Sequence, residues 1–156
     1  MRKGFVPLLM CPLISGVGYC ENADVLLKCL SHEKNQCGCS LSVRDQGCGA
    51  QGSVNFFSEL SRGSPLWMAT DKGDLQLNSA KVVTDPSEFP FSRGARWSET
   101  YIGEGLSVII DYRPGVDTCP KPKGEEDCEY FDVEATVYVK GNSVQHTYQA
   151  SGTCGC

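Results

Sequence analysis

Two Cys-Gly-Cys pairs stand far apart in the chain, Cys37-Gly38-Cys39 and Cys154-Gly155-Cys156. Reduced, their four thiolates would suit a tetrahedral zinc or a soft copper(I) ion, or act as redox dithiols. Oxidised, they would staple distant parts of the fold. The usual zinc spacing is Cys-x2–4-Cys, and only His32 and His146 could complete a mixed site. A Cys-x-x-Cys redox motif is absent. With 10 cysteines in 156 residues, structural disulfides are the expected state, and metal or redox use is the alternative.

Catalytic groupings are harder to assemble. His146 lies in an alternating segment on its apolar phase, where a packed core histidine is expected, and His32 sits in the polar run Ser31-His32-Glu33-Lys34. Neither Gly-x-Ser-x-Gly nor His-Glu-x-x-His occurs. Glu125-Glu126-Asp127 with Glu129 reads as a solvated acidic loop. No enzymatic activity and no cofactor are expected. The net charge of −5 argues against nonspecific nucleic-acid binding, which needs clustered Lys and Arg.

The amino-terminal segment bears on compartment. Arg2 and Lys3, the apolar stretch Phe5 to Ile14 and the small-residue site Gly16-Val17-Gly18 have the order of an export signal. A membrane span needs about 20 apolar residues, more than this stretch has, and no later segment is long and apolar enough. Residues 1–18 are therefore read as a signal peptide and 19–156 as a single disulfide-rich β domain, periplasmic or secreted. Cys11 and Cys20 follow Met10 and Tyr19, not the small residue that lipidation requires. Cleavage after Gly18 leaves nine cysteines: Cys20, Cys29, Cys37, Cys39, Cys48, Cys119, Cys128, Cys154 and Cys156. All are disulfide candidates, one of them without an intrachain mate.

The elements that must position these residues are mostly strands. Turn signals recur at Gly63-Ser64-Pro65, Asp71-Lys72-Gly73-Asp74, Asp85-Pro86-Ser87 and Arg113-Pro114-Gly115. Residues 65–70 and 74–77 flank one turn as a hairpin. Leu106, Val108, Ile110 and Tyr112 share one face of another strand. A short helix over 22–30 would put Val25, Leu26 and Cys29 on one face.

The clearest signal is at the carboxyl-terminal end, where 131–140 and 143–150 both alternate around Gly141-Asn142. A two-residue turn there pairs Lys140 with Ser143, Val139 with Val144, Val137 with His146 and Ala135 with Tyr148. Continued outward, this register puts Cys128 on the wet face and Cys154 and Cys156 on the core face. Cys128 would then close a loop with Cys119, and the terminal pair would seek Cys37, Cys39 or Cys48.

One further segment, 87–101, combines Phe89, Phe91, Trp97 and Tyr101 with Arg93 and Arg96, residue types enriched at binding hot spots; the other reading tucks its aromatics into the core. Ser92-Arg93-Gly94-Ala95-Arg96-Trp97, followed by Gly103-Glu104-Gly105, resembles the Ser-Gly-x-x-Tyr loop of periplasmic c-type lysozyme inhibitors. The preceding hairpin, with Asp71-Lys72-Gly73, Leu75 and Leu77, is similar too. The resemblance covers about a third of the chain. It departs from the family by an Arg inserted between Ser and Gly, Trp in place of Tyr, and more cysteines. It implies an eight-stranded barrel that presents a Ser-containing loop and a basic side chain to an enzyme cleft.

The expected fold is mainly β, a small antiparallel barrel or sandwich stapled by disulfides. The expected function is protein binding through Ser92, Arg93, Gly94, Arg96 and Trp97. Its partner would be a lysozyme or another peptidoglycan hydrolase. The alternatives are a periplasmic metal or thiol-redox protein using the Cys-Gly-Cys pairs, and a structural envelope protein.

Overall fold

A computed structural model describes residues 26–31, 37–44, 46, 48, 53–84, 94–115, 130–142 and 145–155. Its strands are β1 (Gly38–Val43), β2 (Phe56–Glu59), β3 (Leu66–Thr70), β4 (Gly73–Thr84), β5 (Trp97–Gly103), β6 (Leu106–Pro114), β7 (Tyr130–Lys140) and β8 (Gln145–Gly155). Each pairs antiparallel with its neighbour in sequence, and β8 returns to β1, closing an eight-stranded barrel. The choice between barrel and sandwich is thereby resolved.

Period-two alternation builds the wall. β6 buries Val108, Ile110 and Tyr112, and β7 buries Val133, Ala135, Val137 and Val139. An eight-stranded barrel has an interior just wide enough for side chains to fill. Phe56, Leu66, Met68, Leu77, Tyr101 and Tyr112 fill it here. The outer face carries mainly Ser, Thr, Gln and charged residues, with Val83, Ile102, Ile109, Tyr130 and Tyr138 among them. Membrane barrels put their apolar band outside and polar residues inside; this barrel does the reverse. Among the described residues no helix is long and apolar enough to cross a membrane.

The turns obey local chemistry. The expected 65–70 and 74–77 hairpin forms, with its turn at Asp71-Lys72 instead of Lys72-Gly73: Thr70 pairs with Gly73, and Thr70 Oγ1 both accepts from the Lys72 amide and donates to the Gly73 carbonyl. Gly103 pairs with Leu106 across Glu104 and Gly105, whose φ values of 50° and 72° suit a type I′ turn. A bulge between Ser79 and Lys81 breaks the ladder of β4 with β5.

Two expectations need correction. The β7–β8 connection spans four residues: Lys140 pairs with Gln145, Val139 with His146, Val137 with Tyr148 and Ala135 with Ala150. The expected register is two residues off. Such a slip leaves every side chain on its expected face, so alternation alone does not distinguish the two. β8 also pairs with β1, and barrel closure needs a register that serves both neighbours.

The helix expected over 22–30 is not formed in its described part. Leu27 makes an antiparallel bridge with Thr70, the Lys28 and Leu30 amides donate to the Ala69 and Val54 carbonyls, and the Asp71 amide donates to the Leu26 carbonyl. Sheet partners satisfy the backbone here, and Leu27 is buried while Leu26 is 51% exposed.

Cys39 and Cys154 form a disulfide across the β1–β8 seam, both buried. The terminal pair thus does tie back to the first cysteine block, through Cys39. Cys29 bonds Cys48, and Cys37 is also disulfide-bonded. Cys20, Cys119, Cys128 and Cys156 lie outside the described residues, as do the signal segment and the Cys119–Cys128 clip.

Candidate functional site

Strand alternation gives the barrel two unlike ends. The β1–β2, β3–β4, β5–β6 and β7–β8 connections share one end, here called upper; the β2–β3, β4–β5 and β6–β7 connections share the lower. The end of β4, the start of β5, the end of β6 and the start of β7 therefore lie together at the lower end.

The upper end is held by residues 26–31. Leu27 extends the lane of β2 beside Thr70 and belongs to the core cluster. Ser31 donates from its amide and its hydroxyl to Asp74 Oδ2 at 3.1 and 2.7 Å. Asn55, fully buried, is the node: its Oδ1 accepts from the Val43 amide at 2.7 Å, and its Nδ2 donates to the Lys28 carbonyl at 2.8 Å and contacts Cys48 Sγ at 3.2 Å. Cys48 belongs to the disulfide that ties this segment to the β1–β2 connection.

At the lower end the five expected contact residues separate. Ser92 and Arg93 lie outside the described residues. Gly94 is exposed, with φ of 85°, a left-handed conformation that glycine adopts without strain. Arg96 is exposed, set outward by the alternation that buries Ala95 and Trp97 on either side. Trp97 is not a surface contact: only 4% exposed, it stacks on Tyr112 with centroids 4.4 Å apart and meets the Phe131 edge at 6.4 Å. Its large apolar surface is worth more in the core than at a rim. The expected contact patch is thus reduced, among the described residues, to Gly94 and Arg96, just before the strand that Trp97 begins.

Beneath this rim lies a polar cluster that the motif reading did not identify. Glu99 is 5% exposed and follows the inward phase of Trp97 and Tyr101. Tyr101 Oη donates to Glu99 Oε2 at 2.5 Å. The Tyr112 hydroxyl is buried beside Glu99 and Ser58, and makes no well-formed hydrogen bond among the described residues. Burial pushes the Glu99 carboxyl above the usual carboxylate range, opposed in part by the donors around it, Tyr101 first. Burial likewise holds both tyrosines above their ordinary value, so they remain neutral donors. The signal in the sequence was phase: Trp97, Glu99 and Tyr101 alternate with Ser98 and Thr100.

Among the described residues the catalytic and metal readings gain no geometry. His146 is half-buried rather than packed in the core; it lies opposite Val139 near the upper rim, its ring tilted against Tyr148 at 5.8 Å. The two Cys-Gly-Cys pairs do meet, as the Cys39–Cys154 disulfide, and Cys37 is oxidised as well. A sulfur in a disulfide is not a thiolate ligand. Among the described residues no group of three or more His, Cys, Asp and Glu side chains is placed to hold a metal ion.

Fold and site together define a class: a disulfide-closed, eight-stranded up-and-down barrel with a packed apolar core, strapped at one end. Compared with known proteins, the chain matches no family, no curated protein and no solved structure.

Proposed function

We propose that this is an exported binding protein whose lower end engages the cleft of a cell-wall-degrading enzyme, either a lysozyme or another peptidoglycan hydrolase, in the periplasm or outside the cell. The observation that carries the reading is Arg96, exposed at the lower rim between two buried residues, immediately before a strand anchored by the Trp97–Tyr112 stack. A cation whose backbone adjoins a rigid strand loses less freedom when it meets a carboxylate than one on a mobile loop, and a charge-assisted bond of that kind is strongest in a cleft that excludes water. The eight-stranded barrel is also the architecture that the resemblance to c-type lysozyme inhibitors implies. Ser92, Arg93 and Gly94 would complete the contact. The disulfides are compatible with an oxidising compartment.

The test is inhibition. Purified, oxidised protein is expected to reduce peptidoglycan hydrolysis by a c-type lysozyme or an amidase at near-stoichiometric concentration, and Arg96→Glu to abolish the effect. Full activity of every hydrolase tried, at a large excess of the protein, overturns the proposal.

A second reading, a structural envelope protein, is favoured by the burial of Trp97 and Tyr101. Those aromatics supply core and not contact surface.

A further inference from the structure

Glu99 has no part in the proposed contact, and its surroundings are unusual for a carboxyl. Its backbone stands opposite Val82 of β4 and Ile110 of β6, inside the wall. On its own strand it faces Trp97 and Tyr101, and from β6 it faces Tyr112, beside which Ser58 of β2 lies. The inward residues of β3, Leu66 and Met68, of β4, Leu75, Leu77 and Val82, and of β7, Val133, Ala135, Val137 and Val139, carry no charge. From β1 and β8 come the Cys39–Cys154 disulfide and, toward the upper end, Tyr148 and His146. No cation answers the carboxyl among the described residues. An ionised carboxylate would have neutral donors only, and a buried charge without a counter-charge is costly even when hydrogen-bonded. A neutral acid fits better: it still accepts from Tyr101 and brings a proton of its own to a cluster in which the Tyr112 hydroxyl makes no well-formed hydrogen bond among the described residues.

We infer that Glu99 is carried as a neutral acid in the folded barrel, and that loss of its proton as pH rises loosens the β4–β5–β6 wall. The barrel is then a proton-linked device, tightest in acidic surroundings. The sign follows from linkage. Burial raises the folded-state value above the unfolded one. Between the two, the folded chain holds a proton that the unfolded chain has released. Stability from this group is therefore full below the unfolded value and is lost as pH rises through the folded one.

Thermal unfolding of the full oxidised chain and of Glu99→Gln, from about pH 4 to about pH 8, tests this. Gln keeps the acceptor for Tyr101 and cannot ionise. The midpoint difference, variant minus parent, is expected to grow steadily with pH; a difference that stays flat overturns the inference. A second measurement does not depend on the variant folding. The side-chain carboxyl ¹³C resonance of Glu99 in the unaltered chain, assigned through its backbone, should titrate well above the usual carboxylate range. A midpoint inside that range overturns it equally.

Discussion

Asn55 and Glu99 are both buried polar side chains in the barrel, and they are treated in opposite ways. Asn55, near the upper end, has an acceptor and a donor matched to a backbone amide and a backbone carbonyl on two different segments. Glu99, toward the lower end, has one short hydrogen bond, no cation among the described residues, and a tyrosine hydroxyl beside it that makes no well-formed bond. A buried amide that finds its partners costs nothing further and fixes the register of what it joins. A buried carboxyl without a counter-charge costs stability wherever it is ionised. The upper end is built to stay shut, and the lower end carries a group whose contribution depends on the solvent. Only the second kind of end can respond to anything.

The difference can be broken most severely at the feature both ends share. Replacing Cys39 and Cys154 together by alanine removes a link between residues 115 apart, worth about 5 kcal/mol by loop-closure entropy. Denaturant unfolding should show a loss near that size, with both ends affected. Asn55→Ala should cost about 3 kcal/mol, because it leaves the Val43 amide and the Lys28 carbonyl unpaired in the interior. Hydrogen exchange should then quicken at Lys28 and Val43 before it does in β5 and β6. Tyr112→Phe should do the reverse of Asn55→Ala and gain up to about 1 kcal/mol, since it removes a buried hydroxyl without a well-formed partner. A loss of several kcal/mol there would mean that the two clusters are alike. Arg96→Ala should leave stability within about 0.5 kcal/mol, as exposed substitutions do, while weakening inhibition of any hydrolase the protein binds.

Much of the wall was legible in the sequence, because period-two alternation and turn residues are local. The phases of β6 and β7, the β3–β4 hairpin and the inward aim of Cys154 all follow from them. What escaped is non-local. The β7–β8 register differs by two residues from the one the Gly141-Asn142 turn suggests, and alternation is blind to a shift of two. A helix over 22–30 would have put Leu26 on its apolar face with Val25 and Cys29, but the backbone groups of Ala69 and Thr70 draw this segment into the sheet and bury Leu27 instead. At the site, Arg96 and Gly94 are exposed as a contact surface needs, whereas Trp97 has the composition of a hot spot and the phase of a core residue. Glu99 poses the same conflict with its terms exchanged. Its phase says inside and its charge says outside, and only the closed barrel decides.

The seam has a consequence for how the protein comes into being. β1 has a single ladder partner, β2, until β8 arrives more than a hundred residues later in the chain. Gly152 meets β1 so closely that a methyl group there would overlap the Ser40 carbonyl oxygen, so the last strand must seat against an almost finished wall. A chain that emerges slowly, amino end first, would present β1 as a bare sheet edge until β8 follows. Premature release before β8 would leave two such edges, each able to pair with another copy. Seating of β8, closure of the cylinder and oxidation of Cys39 with Cys154 thus become a single late event. A holdase that covers the first strand in the meantime would spare the unfinished molecule from its own kind.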